Sequence, residues 1–202
     1  MSSPLLGRSA ILRISKTAVT GEDVGTGDGT TTTFTLDYPP VLYHSETIYI
    51  DGTAKTRDTD YTIDYETGEI TFTSAPASGA SITADYTPLE SIGYAQGLTL
   101  GVDVDLVKEY KIGSDKPEVL SAGNKSFTVS IDMMYIDESY ASKVKAGTEV
   151  YLVVRPAGTG AGKEEIIINN VVFNSWEESI TQDGVIMESV SGEGKSITIR
   201  TQ

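Results

Sequence analysis

Cysteine is missing from the chain, which excludes a disulfide framework, a thiolate nucleophile and a zinc-thiolate cluster. Stability then has to come from packing and assembly. Histidine occurs once, at His44 in the polar run Tyr43-His44-Ser45-Glu46. A Ser-His-Asp arrangement would have to recruit it, and no Gly-x-Ser-x-Gly elbow supplies a nucleophile. Bases are scarce too: 15 Lys and Arg stand against 29 Asp and Glu, a net charge of −14. That balance disfavours a passive grip on nucleic acid, because phosphate contacts dominate such affinity. An acidic wall still suits a conduit, since a surface that repels phosphate does not adsorb the duplex and lets it slide. No apolar run approaches the roughly 20 residues of a membrane-spanning helix, and no charged-then-apolar leader precedes the first strand. A soluble product made in the cytoplasm, with no membrane partner, is expected.

What the chain does hold is 20 glycines, 11 tyrosines and many short alternating runs of β-branched residues bounded by Gly, Pro and Asp-Gly. That pattern predicts an all-β fold. Charge comes in blocks: residues 1 to 21 carry a net +3, residues 22 to 88 a net −10 and residues 89 to 202 a net −7. Six of the tyrosines (Tyr38, Tyr43, Tyr49, Tyr61, Tyr65 and Tyr86) fall in the middle block. The simplest account is a separate module over 22 to 88, inserted into a host domain made of 1 to 21 and 89 to 202.

Within the middle block, alternation predicts strands over 32 to 36, 47 to 50, 61 to 65, 69 to 73 and 81 to 86. Asp51-Gly52 and Glu66-Thr67-Gly68 supply turns. These make a small β-sandwich, with Tyr61, Ile63 and Tyr65 on one half of its core and Ile70 and Phe72 on the other. In the host domain a first strand over 10 to 15 precedes a long one from Gly93. There Leu98, Leu100, Val102, Val104 and Leu106 share a face opposite Asp103 and Asp105. Phe127, Val129, Ile131 and Met133 repeat the pattern opposite Asp132, so the two runs are expected to share a core. Acids at Asp137-Glu138 and bases at Lys143 and Lys145, before Gly147, predict one helix over 139 to 146. Strands over 149 to 155, 166 to 176, 184 to 190 and 196 to 200 complete the set.

Several motifs invite chemistry and fall short. Ala157-Gly-Thr-Gly-Ala-Gly-Lys163 has the glycines and lysine of a phosphate loop. Ala157 stands where that loop needs Gly, Glu164 where it needs Ser or Thr, and a strand follows instead of a helix. The glycines from Gly25 to Gly29 read as a turn. Asp23 with Asp28, and Asp58 with Asp60 and Asp64, lack calcium-loop spacing and read as turn acids. Glu164-Glu165 and Glu177-Glu178 sit on strands, where neighbours point to opposite faces, so neither pair converges as two catalytic carboxylates must. Trp176 either packs beside Phe173 or anchors a neighbouring subunit.

The ordered series Gly93-Tyr94, Leu98 to Leu106, Tyr110 with Ile112-Gly113-Ser114, Pro117, Gly123-Asn124 and Tyr135-Ile136-Asp137 resembles the core of tail tube proteins of phages and phage-like archaeal viruses. Trp176-Glu177-Glu178, Asp183-Gly184 and Ser189 to Gly194 extend the likeness. The resemblance implies a β-sandwich or half-barrel with a flanking helix, a structural virion protein of the tail with no catalytic turnover and no cofactor. Subunits of that family assemble into stacked, usually hexameric rings around a DNA path. Implied partners are the subunit itself, the tape measure, the tail terminator and baseplate or tip proteins, with DNA passing through unbound. On this picture Asp103, Asp105 and Asp132 face the lumen. The loop Arg155 to Lys163 and the connection Gly113 to Asn124, which contains Pro117, join rings, and Trp176 is a further inter-subunit candidate. An outward-projecting insertion would collide with a sheath, which favours a non-contractile tail. A surface or glycan-binding β module, using the tyrosine-rich block, is the alternative, and a hydrolase with carboxylates converging through tertiary structure the third.

Overall fold

The computed structural model describes residues 10–92, 95–113, 115–134, 139–180 and 186–202. Gly93-Tyr94, Ser114, Tyr135 to Glu138 and Asp183-Gly184, named above, lie outside them. Fifteen strands and one helix are described, so the fold is all-β apart from that helix. The chain divides into two compact units, Met1–Leu12 with Ile92–Gln202, and Arg13–Ser91. The division falls inside the first strand, β1 (Ile11–Ser15), nine residues before the 22 to 88 block at one end and three after it at the other. It does so because Arg13 to Ser15 pair antiparallel with β9 (Leu89–Ser91).

The unit Arg13–Ser91 holds two further sheets. One orders β2 (Val19–Thr26), β8 (Ser81–Tyr86), β4 (Thr47–Ile50) and β5 (Thr53–Ala54). The other orders β3 (Thr33–Thr35), β7 (Glu69–Phe72) and β6 (Tyr61–Ile63). Ile48, Ile82 and Tyr86 of the first sheet and Tyr61, Ile70 and Phe72 of the second belong to one buried cluster, with Ile63 and Tyr65 packed against it. The tyrosine and isoleucine alternation therefore marks core positions, as expected. Asp51 and Gly52 both take positive φ, the two-residue turn geometry that joins β4 to β5. Gly25, expected in a turn, instead sits in β2, at φ 147 beside a register shift. Glycine there admits a bulge that hides the strand from an alternation test.

In the other unit a sheet runs β10 (Ala95–Tyr110), β11 (Pro117–Met134), β14 (Ile186–Gly194), β13 (Glu164–Ile180), β12 (Glu149–Arg155). A further strand, β15 (Ser196–Thr201), pairs with the amino-terminal half of β13. Seventeen residues let β13 serve β12 and β15 early and β14 late, with a register shift at Phe173/Ser175. Close approach explains Gly192 nearby: a Cβ there would stand 2.4 Å from the Val172 carbonyl. Ile131, Leu152, Ile168, Phe173 and Val190 form the buried interior. The helix α1 (Ser139–Ala146) covers the predicted residues, with Lys143 and Lys145 in its last turn and Gly147 at φ 59 beyond.

One expectation fails here. Val102, Val104 and Leu106 do not enter a core: they are 55%, 39% and 59% exposed. The reason is topological. β14 pairs β11 only over Phe127 to Met134, so nothing described here flanks the ribbon beyond that point.

Candidate assembly surface

The long hairpin is where sequence pattern and burial disagree, and its geometry follows from register. β10 pairs with β11 from Ala95 to Tyr110, and among the described residues it pairs with nothing else. Residues 101 to 110 and 117 to 126 thus form a two-stranded arm. Almost every described side chain on it is exposed. Such a ribbon is only marginally stable alone in water and normally needs a third strand or a packed face.

Its side chains are the wrong ones for a solvated hairpin. Leu106, Val107, Tyr110 and Leu120 are each about half or more exposed, and Ile112 at the tip is 103% exposed. Leu106 stands across from Ala122, and Lys108 across from Leu120. Asp103 pairs with Ser126, and both Asp103 and Asp105 are exposed. Toward the tip Lys108, Lys111 and Lys116 alternate with Glu109, Asp115 and Glu118, so that end carries no net charge. Pro117 opens the returning strand opposite Tyr110. Along the sixteen residues of β10 every second residue turns its backbone N–H and C=O to the outer edge, where they are open to pairing.

The remaining site residues fall elsewhere. Asp132 is exposed between buried Ile131 and Met133, so the expected acid-out alternation holds in that part of β11. Arg155 is only 3% exposed and donates from Nε to Glu165 at 2.5 Å. Arg200 Nε donates to the other oxygen of that carboxylate at 2.6 Å. Arg155 therefore belongs to the interior and not to the rim of the unit. Lys163 is exposed on the glycine-rich loop, which runs directly into β13 with no helix dipole to hold a phosphate. Trp176 is half-buried, its indole N–H donating to Glu188 at 3.2 Å. Glu165 is buried while Glu164 is exposed, as strand geometry requires.

In the smaller unit the acids serve turns. Asp28 accepts from the Thr30 and Thr31 amides, and these bonds hold its carboxyl well below the usual range. Asp64 accepts from the Glu66 and Thr67 amides, and Asp60 from that of Thr56. Among the described residues no three metal-ligating side chains cluster. Glu46, fully buried, accepts from Arg57 Nε at 2.9 Å and from the Tyr65 hydroxyl at 3.1 Å. Sequence reasoning passed over this acid, because a carboxylate beside His44 reads as a wet loop. His44 itself is exposed and stacks on Tyr43.

Burial, then the Glu46 charge, pushes the Tyr61 hydroxyl up to about 12. Burial also raises Tyr65 and Tyr86, followed by Glu46 for the first and the hydrogen bond to Glu22 for the second. A tyrosine raised above its unfolded value of 10 stabilises the fold fully below pH 10. That contribution disappears as pH rises through about 12. Tyrosinate absorbance should show exposed tyrosines ionising first and Tyr61 only near pH 12, together with unfolding of this unit. All tyrosines titrating together near 10 in a folded protein would refute the buried network.

Comparison with known proteins gives matches of limited reach. Residues 31–87 match a family described as a domain of unknown function, DUF8818. "Uncharacterized protein MJ0340" of Methanocaldococcus jannaschii is 37% identical over 87 residues, 41% of this chain and 37% of that protein's length. Among solved structures, a chain of the "Virion of native gene transfer agent (GTA) particle" aligns at a TM-score of 0.43 and 11% identity, covering 56% of this chain and 88% of that one. A chain of the anti-feeding prophage cap, the tube-terminating cap, aligns at 0.39 and 10% over 83% of this chain and 94% of that one. One from the anti-feeding prophage baseplate aligns at 0.40 and 8% over 81% and 97%. At those scores and identities, no role passes from these particles to this chain.

Proposed function

We propose that the chain is a structural subunit of a virion tail, of tail-tube type, whose work is self-assembly. The observation that carries this is the apolar, two-stranded arm with an open edge on β10. Apolar side chains exposed on a long ribbon, with unpaired backbone beside them, are a template for pairing with another chain. Each subunit's edge closed by the next makes a ring without free edges, and the arm adds contacts between rings. The ordered motifs from Leu98 to Asn124 support the tube reading independently of the arm's exposure.

On this reading the acidic positions Asp103, Asp105 and Asp132 face a channel that repels phosphate, so DNA passes without adsorbing. Lys163, Pro117 and Trp176 remain candidates for contact between subunits, while Arg155 does not. Hexameric rings, and tape-measure, terminator and baseplate partners, belong to the same proposal. No helix among the described residues is long and apolar enough to cross a membrane.

Sedimentation velocity over a concentration series tests this. Growth from a slow species into large, discrete assemblies is expected, and a single monomer boundary at every concentration would refute it. A second expectation concerns the smaller unit. Produced alone as residues 13 to 91, it should unfold cooperatively, because its β1–β9 pairing and its core cluster are both retained. A chain lacking it should still assemble. A non-cooperative melt of the fragment would contradict the first part, and loss of assembly the second.

A further inference from the structure

We infer that the glycine-rich loop, residues 157 to 163, is a receptor for a primary amide, and that it clasps β15 as a strap over an edge of β13. This does not rest on the self-assembly reading. A phosphate has no place on that loop, yet the loop holds something else. Gly158, Gly160 and Gly162 take positive φ, at 78, 131 and 80, a backbone that residues with side chains rarely adopt. With those turns the loop closes around Gln202, the residue that follows β15.

The contacts select a carboxamide. Gly160 N–H donates to Oε1 of Gln202 at 3.1 Å, while Nε2 donates to the Gly158 carbonyl at 3.1 Å and to the Glu164 carbonyl at 3.4 Å. Exchanging the oxygen and the nitrogen would set donor against donor and acceptor against acceptor, so the partners fix the orientation. The backbone joins in: Gly162 N–H donates to the Gln202 carbonyl at 3.1 Å, and Gln202 N–H to that of Lys163 at 2.8 Å. A glutamate at 202 would keep one of the three side-chain bonds and turn a charge toward two carbonyls.

The strap needs the clasp because little else holds it. No side chain of β15 is fully buried, and Ile199 is 64% exposed. Among the described residues the strand pairs with β13 alone, from Thr201 opposite Glu164 to Ser196 opposite Asn169. At its start Lys195 N–H donates to the Asn169 carbonyl at 2.9 Å, and further along Arg200 reaches Glu165. A strand with few buried contacts opens locally at little cost, so a tie at its far end decides how long it stays closed. Once β15 lifts, β13 over residues 164 to 169 keeps only β12 beside it and offers an edge on which a foreign strand can add. Clasp and strap together guard that edge.

Hydrogen exchange followed by mass spectrometry tests this on the full chain carrying Q202A or Q202E. Loss of the amide alone, in Q202A, should quicken exchange over residues 164 to 169 and 196 to 201 by about tenfold, and the charge in Q202E by about tenfold more. Exchange over 129 to 133 and 186 to 192 should stay as in the parent, with the rest of the unit folded. Exchange in Q202E no faster than in Q202A would mean that the loop does not read the amide, and would overturn the proposal. So would unchanged exchange in both variants. A change spread through 129 to 133 and 186 to 192 would overturn it too, since β15 would then be part of one cooperative unit and not a strap.

Discussion

Replacing Leu106, Ile112 and Leu120 together by serine is expected to abolish assembly and leave a folded monomer. All three side chains are more than half exposed, so the isolated subunit loses little when they become polar. The assembled state loses much more. Each would contribute about 1.5 kcal/mol or more by burial at a contact, and three such losses raise the concentration needed for assembly by about 1,000-fold. Circular dichroism and the melting temperature should match the parent within about a degree per substitution, as surface changes away from packed features do. Unchanged assembly would show that the exposed apolar arm is not what joins subunits. Replacing Asp103 and Asp105 by asparagine is the natural control, since those exposed acids are not expected to hold the contact.

Glu165→Ala is expected to be the most destabilising single substitution outside the apolar core. The carboxylate is almost fully buried and accepts from two guanidinium groups, Arg155 and Arg200. Removing it takes away the carboxylate that balances the buried Arg155 charge, and breaking a buried pair costs about 3–5 kcal/mol in such settings. For a chain of this length that lowers the melting temperature by on the order of 10 °C. Arg200→Ala should cost less, because that side chain is a fifth exposed and Arg155 still faces the carboxylate. A loss under about 1 kcal/mol for Glu165→Ala would mean that the pair is solvated and that Arg155 is available to a neighbour after all.

Legibility in the sequence followed the source of each element's stability. Where burial alternates with strand period, the residues declared their structure: Tyr61, Ile70 and Phe72 in the smaller unit, Val129, Ile131 and Met133 in the larger. The helix over Ser139–Ala146 was equally plain, because charge at its end and Gly147 beyond it are local signals. β2 was not, since Gly21 and Gly25 at positive φ interrupt its alternation with bulges.

The arm was legible as a strand and misleading as a core. Val102, Val104 and Leu106 have the pattern of a buried face. Period two, however, says only that one face is apolar, not what covers it. In this structure nothing described covers it, and on the assembly reading the missing layer comes from another subunit. Arg155 shows the converse. A base next to a glycine-rich loop reads as exposed until Glu165, ten residues on, is seen to hold it inside. Long-range pairs of that kind leave no local signature.

The most direct test is electron microscopy of the purified protein across a range of concentrations. The account predicts rings that stack into hollow tubes. Dispersed monomers at every concentration, with the arm free in solution, would contradict it.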